Sequence, residues 1–533
     1  MYFTIYTYQL SKLSQRTASE LQSDAMCDLC LDRFTIKPTH DCKAHVEKII
    51  FSLVSKSKII LASVSVFCYI TFRCLKKKHK KETPCQETAN PQRLPIHVKT
   101  VDRQLQLLHL DKIARNTKFY RRTPQKIQAT PFIGALCAAA HQNIFSYSKI
   151  AFLLGLRGIL VSKQAVAERF NRFAVALFKQ TLNALIGKVS GIEVIQKQGA
   201  LAFFENVYLQ DSTHLALPQH LADAYPGAKN QSGKKNAGMK IQAVFNLKNE
   251  QMVDFSLSGF NQTDQAASKE ILDLVQPKDL VIRDLGYFVL DVFKDLCQKG
   301  AFFLSRLRSN VAVYCPNTGK RLNLLSVLKK QSCTDINVFI GRDHKLPVRL
   351  VAMPVPEHIA NERRRKARNN RDRRCNPSKE TLQLLGWQIF ITNVKRDIWD
   401  PSTVCKMYAI RWRIEIIFKA WKSHMALASV PEGSKNELDV FIYSQLVNIT
   451  IFHAVFDHLN RYMIDKHNKF ISMIKLAPLF SHVLNVIHTS QKAAIEGEVE
   501  EYLSGLLLRH CCYEKRNKRT NYPEHLALLA ALA

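Results

Sequence analysis

Residues Met407 to Met425 read MYAIRWRIEIIFKAWKSHM. Placed on one helix at 3.6 residues per turn, Tyr408, Arg411, Glu415 and Lys422 fall within an arc of about 60°. Ile410, Ile414, Ile417 and Trp421 gather on a side roughly opposite. The helix therefore presents an apolar stripe to a core and a separate stripe of two cations, a phenol and a carboxylate. Spacing alone leaves two readings open: an ordinary amphipathic helix with a solvated polar face, or a helix whose polar face is a site. A solvated face rarely needs a Tyr and an Arg lined up with a single Glu.

The pattern Tyr408-x2-Arg411-x3-Glu415-x6-Lys422, with the flanking words RWRIE and FKAWK, resembles the YREK signature of the IS4 family of insertion-sequence transposases. The resemblance implies that Glu415 is the last acid of a DDE catalytic triad. It also implies two aspartates upstream at strand ends and a chain that otherwise binds DNA. It extends over roughly residues 100–530 and is most specific between Tyr408 and Lys422.

Composition agrees with a nucleic-acid partner. The chain has 533 residues, enough for several domains and a large core, and its 47% hydrophobic content excludes a disordered protein. Lys plus Arg outnumber Asp plus Glu by 77 to 44, a formal charge of +33. Such a surplus suits a polyanion, nucleic acid first and an anionic membrane second. It carries no sequence specificity, because phosphate contacts set affinity rather than recognition. The 14 cysteines are scattered, and no signal peptide is evident, so a reduced, cytoplasmic and nucleoid-associated protein is expected.

Residues 1–97 form an extension and linker that the resemblance does not reach. Cys27, Cys30, His40, Cys42 and His45 are rich in metal-ligand types, but their spacing fits no zinc template. Ile59 to Phe72 is an apolar run of 14 residues, short of the roughly 20 a spanning helix needs. A membrane is therefore an unfavoured partner. The lysines at 76, 77, 78, 80 and 81 follow, and Pro84, Pro91 and Pro95 mark a linker.

Residues 98–195 read as a helical DNA-binding domain. The stretch SYSKIAFLLGLRGILVSKQAVAERFNRF, from Ser146 to Phe173, has the outline of a helix-turn-helix. Ser146 caps a first helix, Gly155 and Gly158 mark the turn, and Ser162 caps a second. That second helix carries Lys163, Gln164, Arg169, Asn171 and Arg172, side chains able to read base edges. A plain helical hairpin is the competing reading. Lys118, Arg121, Arg122 and Lys126 add cations upstream.

The pattern turns to strands near residue 200. Phe203–Asp211, Met239–Leu247 and Met252–Ser258 read as three antiparallel strands, the last two joined by a turn at Lys248-Asn249-Glu250. Helical periodicity over Ala266–Leu274, a strand Leu280–Asp284, a helix Val289–Cys297 and a strand Ala301–Leu307 follow. This order is that of an RNase H-like α/β core. Asp211 ends the first strand in this reading and Asp284 the fourth, where the resemblance puts the first two acids.

The core is thus expected in two parts, residues 196–308 and 396–460, interrupted by a β-rich insertion domain at 309–395. The insertion holds strands at Ile336–Ile340, Val348–Met353 and Trp387–Thr392. It also holds Arg363, Arg364, Arg365, Lys366, Arg368, Arg371, Arg373 and Arg374, expected as a loop over DNA phosphates. The resemblance puts Trp387 where relatives stack a flipped base; a core Trp in a strand is the alternative. Beyond Lys422 the apolar Leu438–Leu459 packs beneath the catalytic helix. Residues 461–533 are a helical C-terminal region with cations at Lys515, Arg516, Lys518 and Arg519.

If Asp211, Asp284 and Glu415 converge, they form a hard oxygen donor set for Mg²⁺ or Mn²⁺ rather than zinc. Two ions about 3.5–4 Å apart clamp the attacking and leaving oxygens at a phosphodiester. Tyr408, Arg411 and Lys422 then grip the phosphates, Arg411 with a bidentate fork. The resemblance implies cut-and-paste transposition of an insertion sequence, acting on double-stranded transposon ends and target DNA, with a homodimer in the end complex. The alternatives are a transposase-derived DNA-binding regulator without catalysis, a nuclease that cuts without joining, and a membrane-tethered protein.

Overall fold

The computed structural model describes residues 108–530, apart from positions 123, 125, 144, 189–198, 229–234, 331, 370–375, 481, 484–495 and 515–521. All described residues fall in the second of the two units into which the chain divides, Pro91–Ala533. The Cys27–His45 cluster, the apolar run 59–72, the lysines at 76–81 and the proline linker lie outside the described residues. So do Arg371, Arg373 and Arg374, and the cations at 515, 516, 518 and 519.

Five helices come first: α1 (Leu110–Asn116), α2 (Ala129–His141), α3 (Tyr147–Gly155), α4 (Lys163–Ala167) and α5 (Arg172–Lys188). Their apolar faces merge with the main core through Phe132, Leu154, Leu177 and Phe178. The turn after α3 does use Gly158, whose φ of +82° is the left-handed region glycine tolerates. Ser162 caps α4 by accepting from Ala165 N at 3.2 Å. The single second helix expected over Lys163–Arg172 is corrected, however. α4 ends after five residues, and Asn171 opens a new helix by accepting from Phe173 N and Ala174 N at 3.0 and 3.3 Å. Ser146 stands at the start of α3 without a side-chain capping bond.

A nine-stranded sheet follows, in the order β3-β2-β1-β4-β5-β9-β8-β7-β6. β1 (Val207–Leu217), β2 (Ala237–Asn246) and β3 (Gln251–Gly259) form an antiparallel meander. The helical pattern expected over Ala266–Leu274 becomes α6 (Asp264–Ala267) and a separate 3₁₀ turn, Glu270–Asp273. β4 (Leu280–Arg283) pairs parallel with β1. After α7 (Leu290–Gln298), β5 (Phe302–Arg306) pairs parallel with β4. Three antiparallel strands followed by two parallel ones, in the spatial order 3-2-1-4-5, are the RNase H-like core.

The insertion contributes β6 (Val313–Tyr314), α8 (Leu324–Leu328), β7 (Thr334–Ile340), β8 (Leu346–Pro354), α9 (Glu357–Arg368), α10 (Lys379–Leu384) and β9 (Trp387–Thr392). Its strands continue the core sheet, because β9 pairs antiparallel with β5. The described part of the arginine run, Arg363 to Arg368, is not the loop that the charge run suggested. Residues 357–368 are helical, with Glu362 and Lys366 paired one turn apart at 2.7 Å.

α11 (Pro401–Ala409), α12 (Trp412–His424) and α13 (Lys435–His467) close one face of the sheet. α14 (Met473–Leu476), α15 (Glu496–His510) and α16 (Tyr522–Ala530) complete the chain. α13 is long and apolar enough to cross a membrane, yet its apolar stretch is entirely buried against protein. The opposite face is covered by α7 and the 3₁₀ turn, through Val292, Phe293, Leu296 and Ile271.

Candidate active site

Strand alternation decides which side chains meet. Val207 and Leu209 point into the core beneath α12, so Asp211, two residues on, shares their face. Asp211 does not end its strand as expected. β1 continues to Leu217 against β2, while its parallel partner stops. The last β1–β4 rung pairs Gln210 with Arg283, so Asp211 and Asp284 are the next residues on two neighbouring strands. That position, where β4 gives out, opens the sheet between them.

The third acid arrives from above. The single helix expected over Met407–Met425 is two helices, with a break at Ile410 and Arg411. There the backbone bonds tighten to three-residue spacing, Arg411 N to Tyr408 O at 3.2 Å and Arg413 N to Ile410 O at 2.8 Å. The apolar stripe is as expected: Ile410, Ile414, Ile417 and Trp421 are all buried. The polar residues converge on the acids. Arg411 reaches Asp211 Oδ2 at 3.4 Å and Glu415 Oε1 at 2.5 Å. Tyr408 donates from its hydroxyl to Asp284 Oδ1 at 3.2 Å and packs its ring on Phe390 of β9. Tyr408, Arg411, Glu415 and both aspartates therefore form one cluster, with Arg411 14%, Asp211 18% and Glu415 31% exposed.

The electrostatics are those of acids held together against repulsion. Burial, and then the carboxylates of Asp284 and Glu415, push Asp211 up to about 6, although Ser212 N and Arg411 act to lower it. Burial followed by the Asp284 charge raises Tyr408, which keeps its proton. Burial opposes the charge on Arg411, but Tyr408, Asp284 and Glu415 outweigh it and hold the guanidinium above its ordinary value. Burial lowers Lys422. Lys422 lies over β1 near His214, where burial first, then Lys422 and Lys240, lower the imidazole.

The other expected residues are spread wider. Trp387 opens β9 on the face opposite the acids and packs into the second core; its carbonyl accepts from Arg363 at 3.5 Å. Arg364 is used internally, bonding Leu382 O, Glu357 and Asn361. Arg365 is exposed on α9. Lys163 and Gln164 are exposed on α4, while Arg169 lays its guanidinium 5.4 Å from the centre of the Phe119 ring. Two residues were missed. Arg306 ends β5 beside Tyr408 and Arg363, on the row that continues Asp211 and Asp284 across the sheet. Trp412, 59% exposed, stands between Arg411 and Arg413. Arg306 carried a signal, a cation ending the strand beside Asp284; Trp412 sat in plain view inside RWRIE.

Among the described residues no three His, Cys, Asp or Glu side chains enclose an ion-sized space as they stand. The donors fit a hard divalent ion nonetheless. They are all carboxylates, and a cation, the Arg411 guanidinium, already lies between Asp211 and Glu415. Arg411 Nε is buried with no hydrogen-bond partner, leaving a donor for an incoming anion.

Known proteins resemble this chain over the same region. Residues 202–447 match the family described as Transposase DDE domain. The transposase for insertion sequence element IS231E of Bacillus thuringiensis subsp. finitimus is 26% identical over 438 residues, covering 78% of this chain and 89% of that protein. The transposase for IS231C of Bacillus thuringiensis subsp. berliner is 27% identical, covering 71% and 83%. That for IS1151 of Clostridium perfringens is 23% identical, covering 71% and 84%. A solved piggyBac transposase synaptic complex with hairpin DNA aligns at a TM-score of 0.38 and 12% identity, over 82% of this chain and 91% of that one. The matched domain and these relatives support a DNA transposase with a DDE domain. The relatives to which it is similar are transposases of insertion sequences.

Proposed function

We propose that the chain catalyses cut-and-paste transposition, with Asp211, Asp284 and Glu415 holding two divalent ions, Mg²⁺ or Mn²⁺. The observation that carries this reading is the Arg411 bridge between Asp211 and Glu415, with Tyr408 on Asp284: acids far apart in sequence meet at one spot. Divalent ions bound there would activate the attacking oxygen and stabilise the leaving 3′ oxygen. The protein's own groups do the rest. Tyr408 fixes the Asp284 carboxylate through its hydroxyl. Arg411 turns from the carboxylates to the scissile phosphate, offering the unpartnered Nε as part of a bidentate fork. Lys422 and Arg306 flank it as further cations, and Trp412 offers a ring to an unstacked base.

The same site can cut with water and join with a freed 3′ hydroxyl, since only the nucleophile changes. Arg365 and its exposed neighbours on α9, and Lys163 and Gln164 on α4, are proposed to hold the DNA outside the site. Trp387, Arg363 and Arg169 are proposed as further DNA contacts, and a homodimer as the end complex, acting on DNA in the cytoplasm. The test is Glu415→Gln in the full chain on the inverted repeats flanking its gene. Retained end binding with no nicking in Mg²⁺ is expected. Wild-type nicking by that variant would remove Glu415 from the mechanism.

A further inference from the structure

Asp211 and Asp284 sit one step past the last paired rung between β1 and β4. No ladder bond between those strands fixes their separation, and two adjacent carboxylates repel. Something else must hold them, and it lies on the other face of the sheet. There Asp264, the first residue of α6, accepts through Oδ1 from Ser212 Oγ at 2.9 Å, Lys240 Nζ at 3.1 Å and Gln242 Nε2 at 3.2 Å. Ser212 follows Asp211 and donates its backbone N–H to that residue's Oδ1 at 2.8 Å. Gln242 in turn accepts from the Tyr287 hydroxyl.

The second oxygen of Asp264 reaches the turn after the other acid. Asp264 Oδ2 lies 2.9 Å from where a Cβ on Gly286 would stand, so only glycine lets the carboxylate come this close. The same segment grips the residue preceding Asp284. Ser268 accepts from the buried Arg283 guanidinium at 2.9 Å, through both its carbonyl and its hydroxyl, and its hydroxyl donates to Tyr287 O at 3.0 Å. Arg283 also reaches Gln210, the residue before Asp211, at 3.2 Å. Residues on both sides of both acids are therefore tied to one short stretch, Asp264–Ser268.

We propose that Asp264 is a positioning residue. From behind the sheet it sets the spacing of Asp211 and Asp284 before DNA or metal arrives. This rests on the reading that those two aspartates hold divalent ions. The partners of metal ligands commonly change metal affinity by about 10–100-fold when removed.

The test is Mn²⁺ binding to the full-length protein, read as loss of the free-ion electron paramagnetic resonance signal, alongside the Mg²⁺ dependence of nicking. Asp264→Ala should weaken Mn²⁺ binding about 10–100-fold. It should raise the Mg²⁺ needed for half-maximal nicking in step, with end affinity unchanged and part of the rate restored by excess metal. Asp264→Asn, which keeps an acceptor for Ser212, should fall between. Ser212→Ala deletes a single hydroxyl and should shift Mn²⁺ binding the same way by less. Wild-type Mn²⁺ binding by folded Asp264→Ala overturns the proposal; should that variant fail to fold, wild-type binding by Ser212→Ala overturns it. Asp211→Asn and Asp284→Asn separate the two levels. If they too bind Mn²⁺ normally, the reading of the acids is wrong. If only they lose it, the acids stand and Asp264 has no positioning role.

Discussion

Replacing Asp211 by asparagine should make the metal-free protein more stable while silencing it. The folded chain holds this carboxyl at about 6 against an ordinary 3.8, through burial and then its acidic neighbours. The folded state thus binds the proton more tightly than the unfolded one. Stability is therefore lost as pH rises from about 4 to about 6, and is level above. A shift of about 2 units is worth roughly 3 kcal/mol at pH 7. At pH 4 the same linkage leaves only about 0.5 kcal/mol. Asparagine keeps the shape and carries no charge, so it should gain close to those amounts. Urea unfolding in a chelator, at intervals from pH 4 to 7.5, measures the difference. Added Mg²⁺ should then stabilise the wild type but hardly the variant, narrowing or reversing the gap. A variant less stable than wild type at pH 7 without metal, or a difference that ignores pH, would refute the argument.

Three other substitutions probe separate parts. Arg306→Ala should slow nicking about tenfold or more, the loss of one charged hydrogen bond to a phosphate, with little change in end affinity by gel shift. Equal losses in both would make it a general DNA contact. Glu250→Gln leaves the Arg413 guanidinium, 2% exposed, without its counter-charge. A cost of about 3–5 kcal/mol in urea unfolding is expected, and less than 1 would show the pair to be dispensable. Ser434→Ala removes the capping box at the start of α13 and should cost about 0.5–2 kcal/mol in the same assay.

The strands were legible because their apolar residues alternate, and Trp387–Thr392 runs between the same residues in the sequence and the fold. The end of β1 was not legible. Asp211 and Ser212 look like a strand terminus, but pairing with β2 carries the chain on to Leu217. The break before α12 has no glycine or proline to announce it; the backbone tightens at Ile410–Arg411, where Arg411 reaches Glu415 one turn on and Asp211 from β1. The arginine run was misread for a different reason. Charge suggested a loop, yet 357–368 contains neither glycine nor proline and carries a Glu362–Lys366 pair that suits a helix. Asn171 could have been read as a cap, which would have split the second helix of the supposed DNA reader. Asp264 was out of reach, since only the pairing of β1 with β2 and the turn after β4 bring its partners together.

The merging of β9 with β5 has a consequence for anyone who would re-engineer the molecule. Phe390 of β9 is the floor on which Tyr408 lies, and Asn393, just past the strand, bonds Phe303 N at 2.8 Å and Ala301 O at 2.8 Å. The inserted segment is not a cassette to be clipped out or exchanged whole. A reporter or affinity sequence belongs at its outer rim, in the exposed turn at Asn317–Gly319, remote along the sheet from the chemistry. Spliced in at 385–393, it would unseat Tyr408 instead.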